Sequence, residues 1–220
     1  MINAALVVVF CAVICAFSGR PDTSLAFTFA KDGSEKNLPL DWKVMKGRGT
    51  EYSVGKEDFL VVLHAVSHEG NTLIGRKIQL SLLDYPVMSW EWKAVQLPDS
   101  GNEEEKRKND SGCGIYVLLK TGLFFKAVKY VWSTTLPAGT VLESRHNANV
   151  KIIVLESGKA RCGEWVSESV NVRDDIRRCF GNKWIEIHGI GIMTDADNTH
   201  SSAEAYYGNI RLSARGELHE

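Results

Sequence analysis

The feature that most constrains this fold is a succession of short apolar segments whose residues alternate with polar or small ones. In "VMSWEWKAV", for example, Trp90, Trp92 and Ala94 share one side, so these residues are expected to fill a core. Clusters of Gly, Pro, Asn and Asp separate the segments and are typical of turns. The pattern predicts an all-β fold, an antiparallel β-sandwich of the jelly-roll kind. Comparable segments are "SLAFTFA", "DFLVVLHAV", "GIYVLL", "KAVKYVWST", "VKIIVLES", "GEWVSESVNV", "WIEIHGIGIM" and "AYYGNIRLS".

A single segment, "NVRDDIRRCFG", has the features of a helix. Two aspartates lie in its first turn and two arginines near its end, which complements the helix dipole. Gly181 follows, and glycine is common just after a helix ends. We therefore predict one short helix near residues 172–180.

The first residues, "MINAALVVVFCAVICAFS", are typical of a secretory signal peptide spanning 1–18. The apolar run Ala4–Phe17 has the length of a signal core and is short for a membrane span. Small residues at Ala16 and Ser18 suit cleavage after Ser18, and a second candidate lies as late as residue 26. We expect an exported protein, periplasmic or extracellular, with no stable membrane span after cleavage. An uncleaved anchor is the alternative.

The rest of the chain is predicted to form one domain over residues 27–213, followed by a tail at 214–220. Of the 220 residues, 44% are hydrophobic and 24% are charged, which is ordinary for a globular domain. The formal net charge is -1, so no basic excess is available for phosphates and no nucleic-acid partner is expected. The charged stretch "PDSGNEEEKRKNDSG", residues 98–112, is predicted to be a solvated loop.

Three cysteines follow the predicted signal peptide, at positions 113, 162 and 179. An odd number allows at most one internal pair. In an oxidising compartment Cys162 and Cys179 are the pair considered. The alternative is that Cys179 is a buried thiol acting as a small apolar residue.

Four segments together resemble a known family: "YPVMSWEWKAVQLP", "KYVWSTTLPAGTVL", "GEWVSESVNVRDDIRRCFG" and "GIGIMTDADNTHSSAEAYYGNI". In their order and spacing the chain resembles the bacterial domain-of-unknown-function family 3047, from about Trp42 to Leu212. The resemblance implies a secreted protein with a β-sandwich similar to carbohydrate-binding jelly rolls. It implies no particular reaction.

Trp165 is the first candidate for contact with a ligand. In "EWVSESVNV" the side of Trp165 carries Ser167 and Ser169, whereas Val166 and Val170 lie on the opposite side. Simple alternation therefore places this tryptophan on a polar face. An exposed indole beside polar groups suits a sugar ring, because the ring packs its C–H groups on the aromatic face while its hydroxyls form hydrogen bonds. Packing under a loop is the alternative.

The same alternation places Tyr207 with Asn209 and Arg211 in the last apolar segment, while Tyr206 falls in the apolar set. Trp132, in "KYVWST", is a further aromatic candidate. The predicted ligand-binding residues are therefore Trp165, Trp132, Tyr207, Asn209 and Arg211.

The stretch "DADNT" places Asp195, Asp197 and Asn198 close together. Their oxygens suit a structural Ca²⁺, which tolerates irregular oxygen ligation. The match to a calcium-binding EF-hand loop fails, because His200 occupies the position of its glycine and Tyr206 that of its glutamate. The alternative is a turn stabilised by its own side chains.

No catalytic motif is present: the sequence has no nucleophile elbow, no glycine-rich phosphate loop and no zinc-binding HExxH. The favoured function is non-catalytic binding of carbohydrate, either polysaccharide or cell-envelope glycan. One alternative is an envelope glycan hydrolase on the same scaffold, with Glu164, Glu168 or Asp195 as acid or base. Another is a structural or partner-binding envelope protein.

Overall fold

The computed structural model describes residues 24–29, 38–57 and 59–214. The predicted signal peptide at 1–18 and residues 215–220 of the predicted tail lie outside the described residues.

Two seven-stranded sheets make up the described part of the chain. Sheet 1 contains β1, β14, β6, β13, β4 and β3 in that order, with β11 also paired to β6. Sheet 2 has the order β2, β5, β12, β7, β8, β10 and β9. The strands are β1 (Ser24–Phe27), β2 (Lys43–Lys46), β3 (Thr50–Glu57), β4 (Leu60–His68), β5 (Leu73–Ser81), β6 (Val87–Gln96), β7 (Cys113–Thr121), β8 (Phe124–Ser133), β9 (Val141–Glu143), β10 (Val150–Ser157), β11 (Val166–Asn171), β12 (Glu186–Ile192), β13 (Ser202–Tyr207) and β14 (Ile210–Ser213).

The strand pairs are antiparallel apart from β8 with β10, which run parallel. The predicted all-β fold is confirmed, since apolar side chains from both sheets meet in one core. Alternation along the strands directs an apolar set of side chains inward, while part of the outer face of sheet 2 buries a second apolar cluster that includes Val131, Ile152 and Val154.

Aromatic side chains from the two sheets meet at the centre of the core. Trp90 and Trp92 lie edge to face with ring centroids 5.3 Å apart. The ring of Tyr130 lies 5.6 Å from Trp90, and that of Trp132 lies 6.3 Å from Trp92. The core positions predicted for Trp90 and Trp92 are confirmed. Trp132 was predicted to bind a ligand, which requires an exposed ring. This prediction is wrong, because the ring is fully buried and its indole N–H donates to the Gly158 carbonyl at 3.0 Å.

The predicted helix is confirmed as α1, Val172–Phe180. Asn171 caps its start by accepting a hydrogen bond from the backbone N–H of Asp174 at 3.0 Å. At its end Gly181 has φ 81°, a left-handed conformation that favours glycine. The helix buries Val172 and Ile176 in the core. A short 3₁₀ turn also forms at Lys106–Lys108.

No helix among the described residues combines the length and the apolar character needed to span a membrane.

A β-bulge separates β13 from β14, which both pair with β6. Tyr207 lies opposite Trp92, and Leu212 lies opposite Met88. The chain therefore advances five residues, from 207 to 212, while β6 covers four, from 92 to 88. The one extra residue in the bulge reverses the order in which inward-facing and outward-facing side chains alternate after it.

The bulge determines where the two neighbouring tyrosines point. Tyr207 is fully buried, and its hydroxyl lies 2.8 Å from Thr194 Oγ1 and accepts the Gly114 N–H at 3.2 Å. Tyr206 instead faces outward and is partly exposed. The exposed position predicted for Tyr207 is wrong, because the prediction assumed unbroken alternation from 207 to 211.

The charged loop at 98–112 is not simply solvated. Glu103, Asp110 and Ser111 are fully buried within it. Glu103 accepts hydrogen bonds from the hydroxyls of Ser111, at 2.8 Å, and Ser133, at 2.5 Å. These hydroxyls allow a carboxylate to be buried, since a buried charge needs hydrogen-bonding partners.

Cys113, Cys162 and Cys179 are free thiols in this structure. The pair considered from the sequence, Cys162 with Cys179, is therefore unbridged. Cys113 is fully buried, and Cys179 packs against the main core as a partly buried apolar side chain.

Large apolar side chains are exposed at the turn between β7 and β8. Leu123 and Phe124 are 91% and 72% exposed. These residues contribute little to the core, and Phe124 supplies an exposed aromatic ring outside the face described next.

Candidate functional site

The outer face of sheet 1 carries a row of polar and aromatic side chains. On β6 the core residues Trp90 and Trp92 alternate with outward-facing Glu91 and Lys93. Strand pairing places Tyr206 of β13 beside Lys93, and His64 of β4 beside Tyr206. Side chains from three adjacent strands therefore lie next to one another on this face.

These side chains stack in a fixed order, which we call the aromatic row: Trp165, Lys93, Tyr206 and His64. The ammonium of Lys93 lies 5.4 Å from the Trp165 ring centroid and 4.7 Å from that of Tyr206. His64 stacks on Tyr206 with centroids 4.2 Å apart and an interplanar angle of 9°. Lys93 also pairs with Glu57. Lys93 is largely buried, and a cation–π contact contributes about 0.5–1 kcal/mol at an exposed site and about 2 kcal/mol when it is desolvated.

Trp165 is partly exposed, as predicted. The indole lies just before β11, in register with the outward-facing Ser167. Its contact with Lys93 is therefore made on the outer surface of the sheet.

Glu204 lies at one end of the aromatic row. The Nε2 of His64 lies 2.8 Å from its Oε1. Partial desolvation, followed by the charges of Glu204 and Glu57, raises the pKa of Tyr206. The Tyr206 hydroxyl therefore remains protonated at neutral pH and can donate a hydrogen bond.

A polar groove of about 730 Å³ runs along β6, β11 and β14 on the same face. The strand register places both Arg211 and Ser169 opposite Ser89, on its two sides. Asn209 and Arg211 are exposed, and the hydroxyl of Ser167 donates to Glu91 at 3.3 Å. Leu60 and Val61 form an apolar part of the groove wall, and the polar residues that line it are Ser89, Glu91, Ser167, Glu168, Ser169, Asn209 and Arg211.

The structure thus brings Trp165, Asn209 and Arg211 to one face and leaves Trp132 and Tyr207 in the core. The sequence interpretation missed Lys93 and Tyr206. The outward orientation of Lys93 could have been predicted, because Lys93 alternates with the core residues Trp90 and Trp92. That of Tyr206 could not, because the bulge after Tyr207 reverses the alternation.

Glu168 points toward the interior from β11. Desolvation, and then the charge of Glu156, raises its pKa to about 7, although the Trp92 indole and Arg161 oppose the shift. One of its carboxyl oxygens, Oε1, has no hydrogen-bond partner. Glu164 is exposed and lies 3.7 Å from Arg161. Glu168 is thus the residue of this pair that can hold a proton near neutral pH.

A second constellation, which we call the acidic pocket, lies on the outer side of sheet 2. Each of Asp110, Asp195 and Asp197 offers one carboxylate oxygen, and these oxygens lie within 4.8 Å of one another. The sequence interpretation included Asp195 and Asp197 but missed Asp110, because its loop was predicted to be solvated.

Backbone hydrogen bonds hold the acidic pocket together. The N–H of Asp195 donates to the Ser111 carbonyl at 3.2 Å. The carboxylate of Asp110 accepts the N–H groups of Asn198, at 3.1 Å, and Thr199, at 2.7 Å. The loop at 98–112 is thereby joined to the segment between β12 and β13.

Lys129 projects from β8 into this pocket and is 2% exposed. Its ammonium lies 3.5 Å from Asp195 Oδ2 and donates to the Ser111 hydroxyl at 3.1 Å. Burial alone lowers the pKa of Lys129, but Tyr116 and Asp195 outweigh burial and raise it, so the side chain stays charged. Burial raises the pKa of Asp195 well above its usual range, against the opposing effect of Lys129.

Asn198 supports its neighbours rather than presenting a free oxygen. The Nε2 of His146 lies 2.9 Å from its Oδ1 and 3.0 Å from the Lys106 carbonyl, so this nitrogen donates to both. The Asn198 amide donates to Asp197 Oδ1 at 3.0 Å. The Asn198 side-chain oxygen, which was predicted to bind the metal, therefore already accepts a hydrogen bond from His146. The carboxylates of Asp195 and Asp197 do come together in the pocket.

Comparison with solved structures gives weak similarities over most of the chain. A family 29 carbohydrate-binding module from Piromyces equi is 11% identical, with TM-score 0.40, covering 90% of this chain and 95% of the module. A family 12 xyloglucanase from Bacillus licheniformis is 10% identical, with TM-score 0.47 and coverages of 88% and 100%. An endoglucanase from Rhodothermus marinus is 8% identical, with TM-score 0.45 and coverages of 87% and 99%. Similarities this weak do not identify a ligand for this chain.

A search of curated protein sequences gave no match. The model of the family described as "Protein of unknown function (DUF3047)" matches residues 40–211, which is most of the chain. The chain therefore belongs to the DUF3047 family, as the resemblance predicted.

Proposed function

We propose that this protein is a non-catalytic carbohydrate-binding protein and that the outer face of sheet 1 holds the glycan. The observation that carries the proposal is a partly exposed Trp165 on the same face as the polar groove. Aromatic rings and hydrogen-bonding groups on one open surface suit a ligand with both C–H faces and hydroxyl edges.

The chemistry of the face divides between stacking and hydrogen bonding. The indole of Trp165 offers a surface for a pyranose ring, and Lys93 fixes that indole from behind. Along the groove, Asn209 and Arg211 supply donors, and Glu91 supplies an acceptor. A chain of sugars is therefore the ligand class we propose, either exported polysaccharide or cell-envelope glycan.

A glycan array probed with the purified chain tests this function. Trp165→Ala and Tyr206→Ala are expected to weaken glycan binding by at least about tenfold. Each variant removes an aromatic ring on which a sugar can pack, and a loss of about 1.4 kcal/mol in binding free energy is a tenfold loss of affinity. Phe124→Ala is the matched control, because it removes an exposed aromatic ring from the β7–β8 turn. Binding that is lost equally in the control, or in none of the variants, would refute the assignment of this face.

We further propose that the protein acts outside the cytoplasm, in the periplasm or the extracellular space. The apolar run Ala4–Phe17 and the small residues at Ala16 and Ser18 support export. Intact-mass measurement of protein from its native host is expected to give a chain beginning at Gly19 or Phe27. Cytoplasmic protein that still carries residues 1–18 would contradict export.

Glycan hydrolysis is the second candidate function, favoured by Glu168. Glu168 is one of the residues in the groove wall, and its inward-pointing carboxyl has a pKa raised to about 7, chiefly by desolvation, in the range that a general acid requires. Release of reducing ends from a bound glycan, abolished in Glu168→Gln, would establish hydrolysis. Binding without release, unchanged in Glu168→Gln, is the result expected of a non-catalytic protein.

A further inference from the structure

The acidic pocket and its immediate surroundings hold more carboxyl groups than ammonium groups. Glu103 and Asp110 are fully buried, Asp195 is 4% exposed, and Asp197 is partly buried beside them. Against these four carboxyl groups the pocket sets one buried ammonium, that of Lys129. Such an excess is costly at low dielectric unless cations or protons balance it.

Asp195 has an oxygen without a partner. Its Oδ2 faces Lys129 at 3.5 Å, whereas its Oδ1 is buried and has no donor among the described residues. The carboxyl group of Asp110 lies close enough to interact with that of Asp195. Buried polar atoms in proteins nearly always have a partner, so an unpartnered carboxyl oxygen on a residue that lines the cavity indicates either a bound species or a proton. Carboxyl groups this close need a proton or a cation between them, and the meeting of three carboxyl oxygens in one place favours a cation.

We propose that Asp110, Asp195 and Asp197 bind one Ca²⁺ ion. Their oxygens lie within 4.8 Å of one another. Oxygens bound to one Ca²⁺ at 2.3–2.6 Å lie no more than about 5.2 Å apart, so these three oxygens are close enough to share one ion. We propose Ca²⁺ rather than Mg²⁺ because Ca²⁺ tolerates irregular sets of oxygen ligands, whereas Mg²⁺ requires a nearly regular octahedron.

The surrounding residues prepare the ligands. Asn71 donates to Asp197 Oδ2 at 2.6 Å, and Asn198 donates to its Oδ1. The adjoining cavity of about 210 Å³ has room for waters that complete the coordination. Lys46 also lines that cavity, so one positive charge lies on its wall.

The proposed ion is structural. It would join Asp110 of the loop at 98–112 to the segment that carries Asp195 and Asp197. Lys129 lies outward on sheet 2, whereas the aromatic row lies outward on sheet 1, so the cation site and the glycan face are on opposite sides of the sandwich. The proposal of a calcium site can therefore be tested separately from the proposal of a glycan-binding face.

The test is titration of CaCl₂ into chelator-treated full chain by calorimetry, together with thermal unfolding. We expect one ion per chain and a midpoint of unfolding raised by about 5–10 °C at 100 times the dissociation constant. The same titration with MgCl₂ is expected to give weaker binding.

Asp195→Asn and Asp197→Asn are expected to lose the calcium-dependent shift, whereas Glu104→Gln, an exposed carboxylate of the same loop, keeps it. If Asp195→Asn does not fold, the half-buried Asp197 provides the variant that decides. Absence of binding heat and of a shift in wild type at 10 mM CaCl₂, or an undiminished shift in Asp197→Asn, would overturn the proposal.

Discussion

Trp132 and Trp165 are the same residue type in opposite environments. Trp132 is enclosed by core aromatic rings, and Trp165 lies on the outer face with Lys93. Strand alternation in the sequence indicates an exposed tryptophan only where the residues on the same side of the strand are clearly polar, as Ser167 is for Trp165. Around Trp132 the neighbours are mostly apolar on both sides, because sheet 2 is buried there on both faces.

We predict that Trp132→Ala lowers the free energy of unfolding by about 3–5 kcal/mol, because it leaves a cavity in the aromatic core. Trp165→Ala is expected to cost less than about 1.5 kcal/mol, because its ring is only partly buried. Urea denaturation of both variants measures the difference. Equal costs would place Trp165 in the core and remove the basis of the glycan face.

Glu168 makes stability depend on pH. Its folded-state pKa of about 7 lies above its usual 4.5, chiefly because of desolvation, so the folded state holds the proton more tightly. Wild-type stability therefore falls as pH rises from about 4.5 to 7, and the loss is complete above 7. Glu168→Gln is expected to be more stable than wild type by about 1–2 kcal/mol at pH 8, allowing for partial exposure. The gain should disappear at pH 4; a gain that is independent of pH would exclude this explanation.

At the scale of elements, the helix and most strands follow from local sequence. The capping residue Asn171, the charges of the first and last turns and Gly181 together determine where α1 begins and ends. The bulge before β14 was not predictable in this way, because it arises when one segment pairs with two parts of β6. A tertiary pairing therefore decided which tyrosine reaches the surface.

Deleting Asn209 tests the bulge. The deletion restores unbroken alternation, so either Tyr207 or the pair Ile210 and Leu212 must leave the core. We expect a loss of at least about 3 kcal/mol in unfolding free energy, whereas Asn209→Ala, which keeps the chain length, is expected to change stability by less than about 0.5 kcal/mol. A deletion variant as stable as Asn209→Ala would contradict the assigned register.

The cap of α1 provides a smaller test. Asn171→Ala removes the acceptor for the Asp174 N–H and is expected to cost about 1 kcal/mol. Asn171→Asp keeps an acceptor and is expected to retain most of that stability. Thermal unfolding of both variants measures the effect, and identical losses would show that the cap is unimportant.

At the scale of the whole molecule, the two sheets present different chemistry on their outer faces. Sheet 1 carries the aromatic row and the groove, and sheet 2 carries the acidic pocket. The β-sandwich itself was predictable from alternation and turn residues. The acidic pocket was predictable only in part, because Asp110 joins Asp195 through the folding of a loop whose balanced charges resembled a solvated surface.

The most direct test of the glycan-binding claim uses the tryptophans as reporters. Of the six tryptophans, Trp165 is partly exposed and the other five are at most 4% exposed. N-bromosuccinimide at low excess should therefore oxidise Trp165 first, which peptide mass spectrometry can locate. We predict that a saturating glycan from the array blocks this oxidation. A glycan that binds tightly while Trp165 is oxidised at an unchanged rate would contradict the central claim.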